Sequence, residues 1–201
     1  MIKKVIGIMI LTLALSVSVF ADEWTIDKAH SSVSFKVRHM VVSKVKGGFD
    51  DFSGTVKFDG ENVKDGSVEM SIDVASVDTE NEDRDKHLIS ADFFDAEKFP
   101  TITFMSKKVI ADDDNFKIVG DMTMKGVTKE VTFEVEFSGI VNDPWGNTRA
   151  GFSASTTIDR QEFNVSFSKT LDNGGLVVGN DVEIELEIEA VKVKPEEAEK
   201  N

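Results

Sequence analysis

The sequence predicts an all-β fold, an antiparallel β-barrel of about eight strands, and three observations predict it. Apolar and polar residues alternate with period two through most of the chain after Asp22. Turn signals recur at short spacing, and only the stretch 79–98 carries a helical pattern. The alternation is one-sided, so each strand has one apolar and one polar face, as antiparallel sheets allow. A sandwich would bury the apolar faces against each other, whereas a barrel turns them inward. Long strands, together with Gly47, Gly48, Gly54, Gly120, Gly139 and Gly151 as places to bend, favour the barrel.

The N-terminus reads as a signal peptide over 1–21. Lys3 and Lys4 precede an apolar run from Val5 to Val19, and Val19-Phe20-Ala21 offers a small-residue cleavage junction. The run is too short for a membrane span. This implies export to the periplasm, a mature domain over 22–193, and no stable membrane insertion after cleavage.

The strands then follow in order. Val33, Phe35 and Val37 alternate with Ser34, Lys36 and Arg38; Phe52, Val56 and Phe58 share one face of the next. Val68, Met70, Ile72 and Val74 continue the pattern, as do Ile102 and Phe104 after Pro100. Phe116, Ile118, Met122 and Met124 come next, then Val131, Phe133, Val135 and Phe137. Phe152 and Ile158 belong to a strand opened by the turn Asp143 to Asn147. The last strand sets Val182, Ile184, Leu186, Ile188 and Ala190 against four glutamates. The charged, aperiodic tail 194–201 reads as disordered.

The insert at 79–98 departs from this pattern. Thr79 and Glu82 have capping-box spacing, and Glu80–Arg84, Glu82–Lys86 and Asp83–His87 are acid-before-base pairs one turn apart. Ser90 can cap a second short turn carrying Asp92, Phe93 and Phe94 before Pro100 forces extension. Phe93, Phe94 and Phe99 make this segment a lid or plug over an apolar barrel.

Composition narrows the function. The chain has 37 Asp and Glu against 23 Lys and Arg, a net charge of −14, and loses two lysines with the signal peptide. Such a surface repels nucleic acid and anionic headgroups. With no cysteine, disulfides, thiolate catalysis and thiolate metal sites are excluded. His30, His39 and His87 stand apart in sequence, so no metal site and no cofactor are expected. Apolar-parity positions at mid-strand carry essentially no acid, base or nucleophile, which argues against an enzyme. An interior of this kind is either a filled core or a cavity for one small ligand.

Several motifs resemble the bacterial YceI-like family. They are Trp24-Thr25-Ile26-Asp27 with His30-Ser31; Gly47, Phe49, Phe52 and Gly54; Arg84-Asp85 with His87-Leu88; Asp92-Phe93-Phe94-Asp95; and Phe99-Pro100-Thr101. Gly120, Gly126-Val127-Thr128-Lys129 and Ile158-Asp159-Arg160 with Phe163 complete the likeness, from Trp24 to about Val191. Trp24 stands where Tyr is usual, Glu130 where Pro often follows, and Asn164 where Gly is usual; Asn tolerates positive φ.

The resemblance implies a lipocalin-like barrel in the periplasm that carries or sequesters a long-chain isoprenoid, polyprenyl or quinone-like, or a similar amphiphilic lipid. The residues expected to touch the chain are Phe35, Phe52, Phe93, Phe94, Phe104, Met122, Phe133 and Phe152, with Arg84 and Arg160 for a headgroup. An enzyme acting on an isoprenoid or fatty substrate, and a packed-barrel stress-related interaction protein, are the alternatives. A homodimer is compatible with the sequence.

Overall fold

Strands with one apolar face close on themselves when both edges of the sheet can be paired, and this chain does so. A computed structural model describes residues 21–60, 63–112, 115–172 and 174–194. The proposed signal peptide therefore lies outside the described residues except for Ala21, and the tail except for Lys194.

Eleven strands alternate with short turns. They are β1 (Asp22–Ile26), β2 (Ser32–His39), β3 (Ser43–Phe49), β4 (Phe52–Phe58), β5 (Ser67–Asp73) and β6 (Val77–Asp78), then β7 (Thr101–Asp112), β8 (Asn115–Met124), β9 (Val127–Asn142), β10 (Thr148–Asp159) and β11 (Val178–Lys192). One helix, α1 (Glu82–Ile89), stands between β6 and β7.

Hydrogen bonding runs β1–β4–β5–β7–β8–β9–β10–β11 and returns to β1, closing an eight-stranded antiparallel barrel. β11 is long enough to serve two neighbours on its free edge. Ala190 pairs with Ile26 of β1, while Val182 to Glu187 pair with β2. β3 and β6 extend the sheet beyond β2, and α1 with its following turns lies between β6 and β7.

The register keeps every strand's apolar set on the inside, because a slip of one residue would turn it out. One inner layer runs Phe116, Val135, Ala154, Leu186, Val33 and Phe49 across successive strands. Another joins Gly54, Met70, Phe104 and Met122. At one end Trp24 stacks on Phe58, ring centroids 4.9 Å apart, and Phe137 and Phe152 meet Phe58 edge-on. That aromatic group forms its own packed cluster with Ala150 and Ala190.

Candidate functional site

The other end is covered by α1 and the turns after it. Asn81, not Thr79, caps the helix: its side chain accepts from the Arg84 N–H at 3.0 Å. Glu80 takes φ 59°, which turns the chain after Thr79 and starts the helix later than a capping box on Thr79 requires. Thr79 is instead buried, and its hydroxyl and N–H both donate to Asp85.

The three expected side-chain pairs fare differently. Glu82–Lys86 forms at 3.5 Å on the exposed face. Arg84 turns away from Glu80 and donates to the Thr79 hydroxyl and carbonyl, both at 2.7 Å. His87 pairs with Asp92 at 3.1 Å rather than with Asp83. Ser90 closes α1 instead of opening a second helix, its hydroxyl donating to the His87 carbonyl. Phe93, Phe94 and Asp95 follow in turns.

Beneath this cover lies an apolar cavity of about 480 Å³. That size suits a small-molecule site. Inward-facing Phe35, Phe104, Phe152, Ile184 and Leu186 are only partly buried. In a filled barrel, mid-strand side chains of that parity would be fully enclosed, so their remaining exposure is to the cavity itself.

Nine of the ten residues expected at the site border the cavity. Phe35, Phe104, Met122, Phe133 and Phe152 form its wall, and Phe93 and Phe94 its cover. Phe52 does not; it is 6% exposed and packed into the core, where it pairs with Ile72. Phe99 also lies outside, its ring over Gly126, where a Cβ would come within 2.7 Å of Cε1. Phe94 meets Phe49 edge-on at 6.1 Å, which seats the cover on the barrel rim.

Arg84 and Arg160 border the cavity with their guanidinium groups already engaged. Arg160 is 4% exposed and donates to the carbonyls of Val165, Val178 and Gly179. Asp159 caps the next turn through the Gln161 N–H rather than pairing with Arg160. Arg160 thus clamps β11 to the segment after β10. Asn164, in that segment, takes φ 60°, the left-handed conformation that Asn tolerates.

Sequence reading missed the strap 165–178, which crosses the lid end and contributes Val165, Phe167, Lys169, Val177 and Val178 to the cavity. Its signal was short: Val165 and Phe167 alternate with Asn164, Ser166 and Ser168 before a glycine turn. His39, expected to be structural, also borders the cavity.

Arg84, Asp85 and His87 do not converge on the interior, because Asp85 is bonded to Thr79 and His87 to Asp92. The three histidines remain apart as well. Among the described residues, Asp27, His30 and Glu189 bring possible metal ligands together, but Arg149 already binds both carboxylates. The cavity therefore offers shape and apolar surface rather than reactive groups. No helix among the described residues is long and apolar enough to cross a membrane.

Comparison with known proteins agrees with this architecture. The YceI-like domain model matches residues 24–190. A UPF0312 protein of Vibrio parahaemolyticus is 41% identical over 188 residues, covering 90% of this chain and 94% of its own. The crystal structure of BcnA from Burkholderia cenocepacia superposes with a TM-score of 0.72 at 29% identity, covering 82% of this chain and 98% of that one. A polyisoprenoid binding domain from Saccharophagus degradans shares the fold at 14% identity, with a TM-score of 0.62 over 85% of this chain and 98% of its own.

Proposed function

The chain belongs to the YceI-like family, and from that premise we propose that it binds a long-chain isoprenoid or similar amphiphilic lipid inside the barrel. We place it in the periplasm, where the signal-peptide pattern of residues 1–21 would deliver it, as a carrier or sequestering protein. The observation that carries this reading is the hollow apolar interior, whose wall side chains keep exposed surface that a chain can cover. The polyisoprenoid binding described for the Saccharophagus degradans domain supports the choice of ligand class.

The energetics suit a carrier. Each buried CH₂ contributes about 0.8 kcal/mol relative to water. A polyisoprenoid leaves a bilayer, however, and bilayer and cavity are both apolar. Net transfer is then close to balance, so loading is reversible, and selectivity falls on chain shape and headgroup. Phe35, Phe104, Met122, Phe133 and Phe152 contact the chain, and Phe93 and Phe94 close over it.

Organic extraction of the purified protein followed by mass spectrometry tests the proposal directly. A co-purifying isoprenoid or fatty chain is expected at near-stoichiometric amount. Protein that is lipid-free on isolation and takes up no labelled polyprenyl lipid would refute it.

A further inference from the structure

Among the described residues, every ionisable side chain that borders the cavity is basic. Arg38, His39, Arg84, His87, Arg160 and Lys169 gather at the lid end, from β2, α1, the turn after β10 and the strap. Lys57, at the opposite end, faces Glu23 at 3.5 Å. In a chain where acids outnumber Lys and Arg by 37 to 23, an unselected lining would hold more carboxylates than cations.

These side chains are not equally free. Arg160 serves three carbonyls, Arg84 serves Thr79, and His87 meets Asp92. That leaves Arg38, His39 and Lys169, which the backbone gathers into one patch. His39 pairs with Val178, the Met40 N–H donates to the Val177 carbonyl at 2.9 Å, and the Val177 N–H donates to the Lys169 carbonyl at 2.8 Å. A Cβ on Gly179 would lie 3.2 Å from the Cβ of Arg38.

Arg38 donates to the Val41 carbonyl at 3.2 Å, and the Lys169 ammonium lies 5.8 Å from the Phe167 ring. Among the described residues no carboxylate comes within ion-pair distance of Arg38, His39 or Lys169. On the outer wall, Lys36, Lys44 and Lys117 each pair with a glutamate on a neighbouring strand. The acids near the patch are occupied: Glu183 by Lys44, Asp92 by His87 and Asp85 by Thr79.

We propose that Arg38, His39 and Lys169 hold the anionic headgroup, a carboxylate or a phosphate, of the single-chain amphiphile whose tail fills the barrel. The inference rests on the lipid-binding reading above. An anion here gains charge-assisted hydrogen bonds, from Arg in a two-pronged geometry that a neutral headgroup cannot match. Arg38 and Lys169 are exposed, so the headgroup stays at the wet rim and little of its hydration is lost while the tail enters the cavity.

The test uses three probes with one tail: farnesyl phosphate, farnesoic acid and farnesol, titrated into the delipidated protein. Farnesyl phosphate, farnesoic acid or both should bind about tenfold or more tightly than farnesol at low salt, as one charge-assisted hydrogen bond allows. That margin should shrink in about 0.5 M KCl. The double variant Arg38→Gln, Lys169→Gln should bring the anions to within roughly threefold of farnesol and leave farnesol binding unchanged. Lys28→Gln, which removes a cation remote from the lid, should leave all three as in the parent.

A preference for phosphate alone identifies a phospholipid-type source; equal gains for phosphate and carboxylate identify any anionic head. Equal affinity for all three, or a preference that survives the double variant, overturns the headgroup site while the hollow-barrel reading stands. Failure of all three to bind removes both.

Discussion

His87 stands edge-on to Phe167, ring centroids 4.9 Å apart, and Phe93 packs against both. His87 and Phe93 belong to the cover and Phe167 to the strap, so these rings form the seam between the two segments over the barrel. Replacing Phe167 with Ala removes the strap's side of that seam, including ring contacts worth about 0.5–1.5 kcal/mol beyond their buried area. Release of a bound fluorescent amphiphile to acceptor vesicles should quicken by about tenfold. Stopped-flow transfer reads this, and an unchanged rate would place the exit elsewhere.

Gly47 lies against the Phe35 ring, its partner across the β2–β3 ladder. A Cβ there would come within 2.6 Å of both Phe35 Cζ and Thr79 Cγ2, and within 3.0 Å of the Asp78 carbonyl. Gly47→Ala must push Phe35 toward the cavity or lift the β6–α1 junction. Overpacking of this kind costs about 1–3 kcal/mol. The melting midpoint should fall by several degrees, at roughly 2–4 °C per kcal/mol for a chain of this size. Calorimetry that finds no change would mean the ring moves without strain.

The barrel wall was legible because its signal is repeated. Phe104, Phe133 and Leu186 each sit in a run of strict alternation, and closure only required those runs to share one inside. Phe52 has the same parity and still packs into the core beside Ile72 instead of lining the cavity. Parity tells inside from outside but does not locate the hollow. The helix start was misplaced because two polar residues near it, Thr79 and Asn81, can both cap, and the choice depended on Asp85 holding Thr79. Arg160 looked like a ligand cation because its carbonyl partners come from backbone, which carries no sequence signature.

Arg149 ties three segments at the end opposite the lid. Its Nη1 meets Asp27 at 2.7 Å and also Glu189, and its Nε meets Asp143 at 2.8 Å. The guanidinium holds Asp143 well below the usual carboxylate range, and with His30 it lowers Asp27 too. A carboxylate depressed in the folded state adds stability above its unfolded pKa, and that stability is lost as pH falls through the folded value. Arg149→Gln should therefore lower the melting midpoint near neutral pH. The gap from the parent should begin to close below about pH 4, where unfolded carboxylates titrate. Melting curves from pH 7 down to 2 measure this, and a gap independent of pH would mean the residue acts through packing alone.

Arg160 is predicted to matter for stability, not for ligand choice. Arg160→Met keeps most of the volume but leaves the carbonyls of Val165, Val178 and Gly179 without their donor. Unsatisfied buried acceptors cost about 1–3 kcal/mol each, eased where water can reach them. A loss of roughly 2–4 kcal/mol is expected by denaturant titration. Retained stability with a selective loss of anionic ligands would instead return Arg160 to the headgroup site.

Ala154 sits between Val135 and Leu186 in the inner layer and borders the cavity. A hollow apolar interior forfeits dispersion contacts that a larger side chain at this position can recover. Ala154→Phe should keep or raise the stability of the lipid-free protein, by about 0.5–2 kcal/mol where the ring settles without strain. Uptake of a labelled polyprenyl lipid should fall by at least about tenfold, since the ring takes the space the chain would occupy. Ala154→Leu should give a smaller version of both effects, which guards against misfolding of the larger substitution. Titration of the two variants beside the parent, with melting curves on the same samples, separates the outcomes. Undiminished uptake by a folded Ala154→Phe protein would move the ligand out of the barrel.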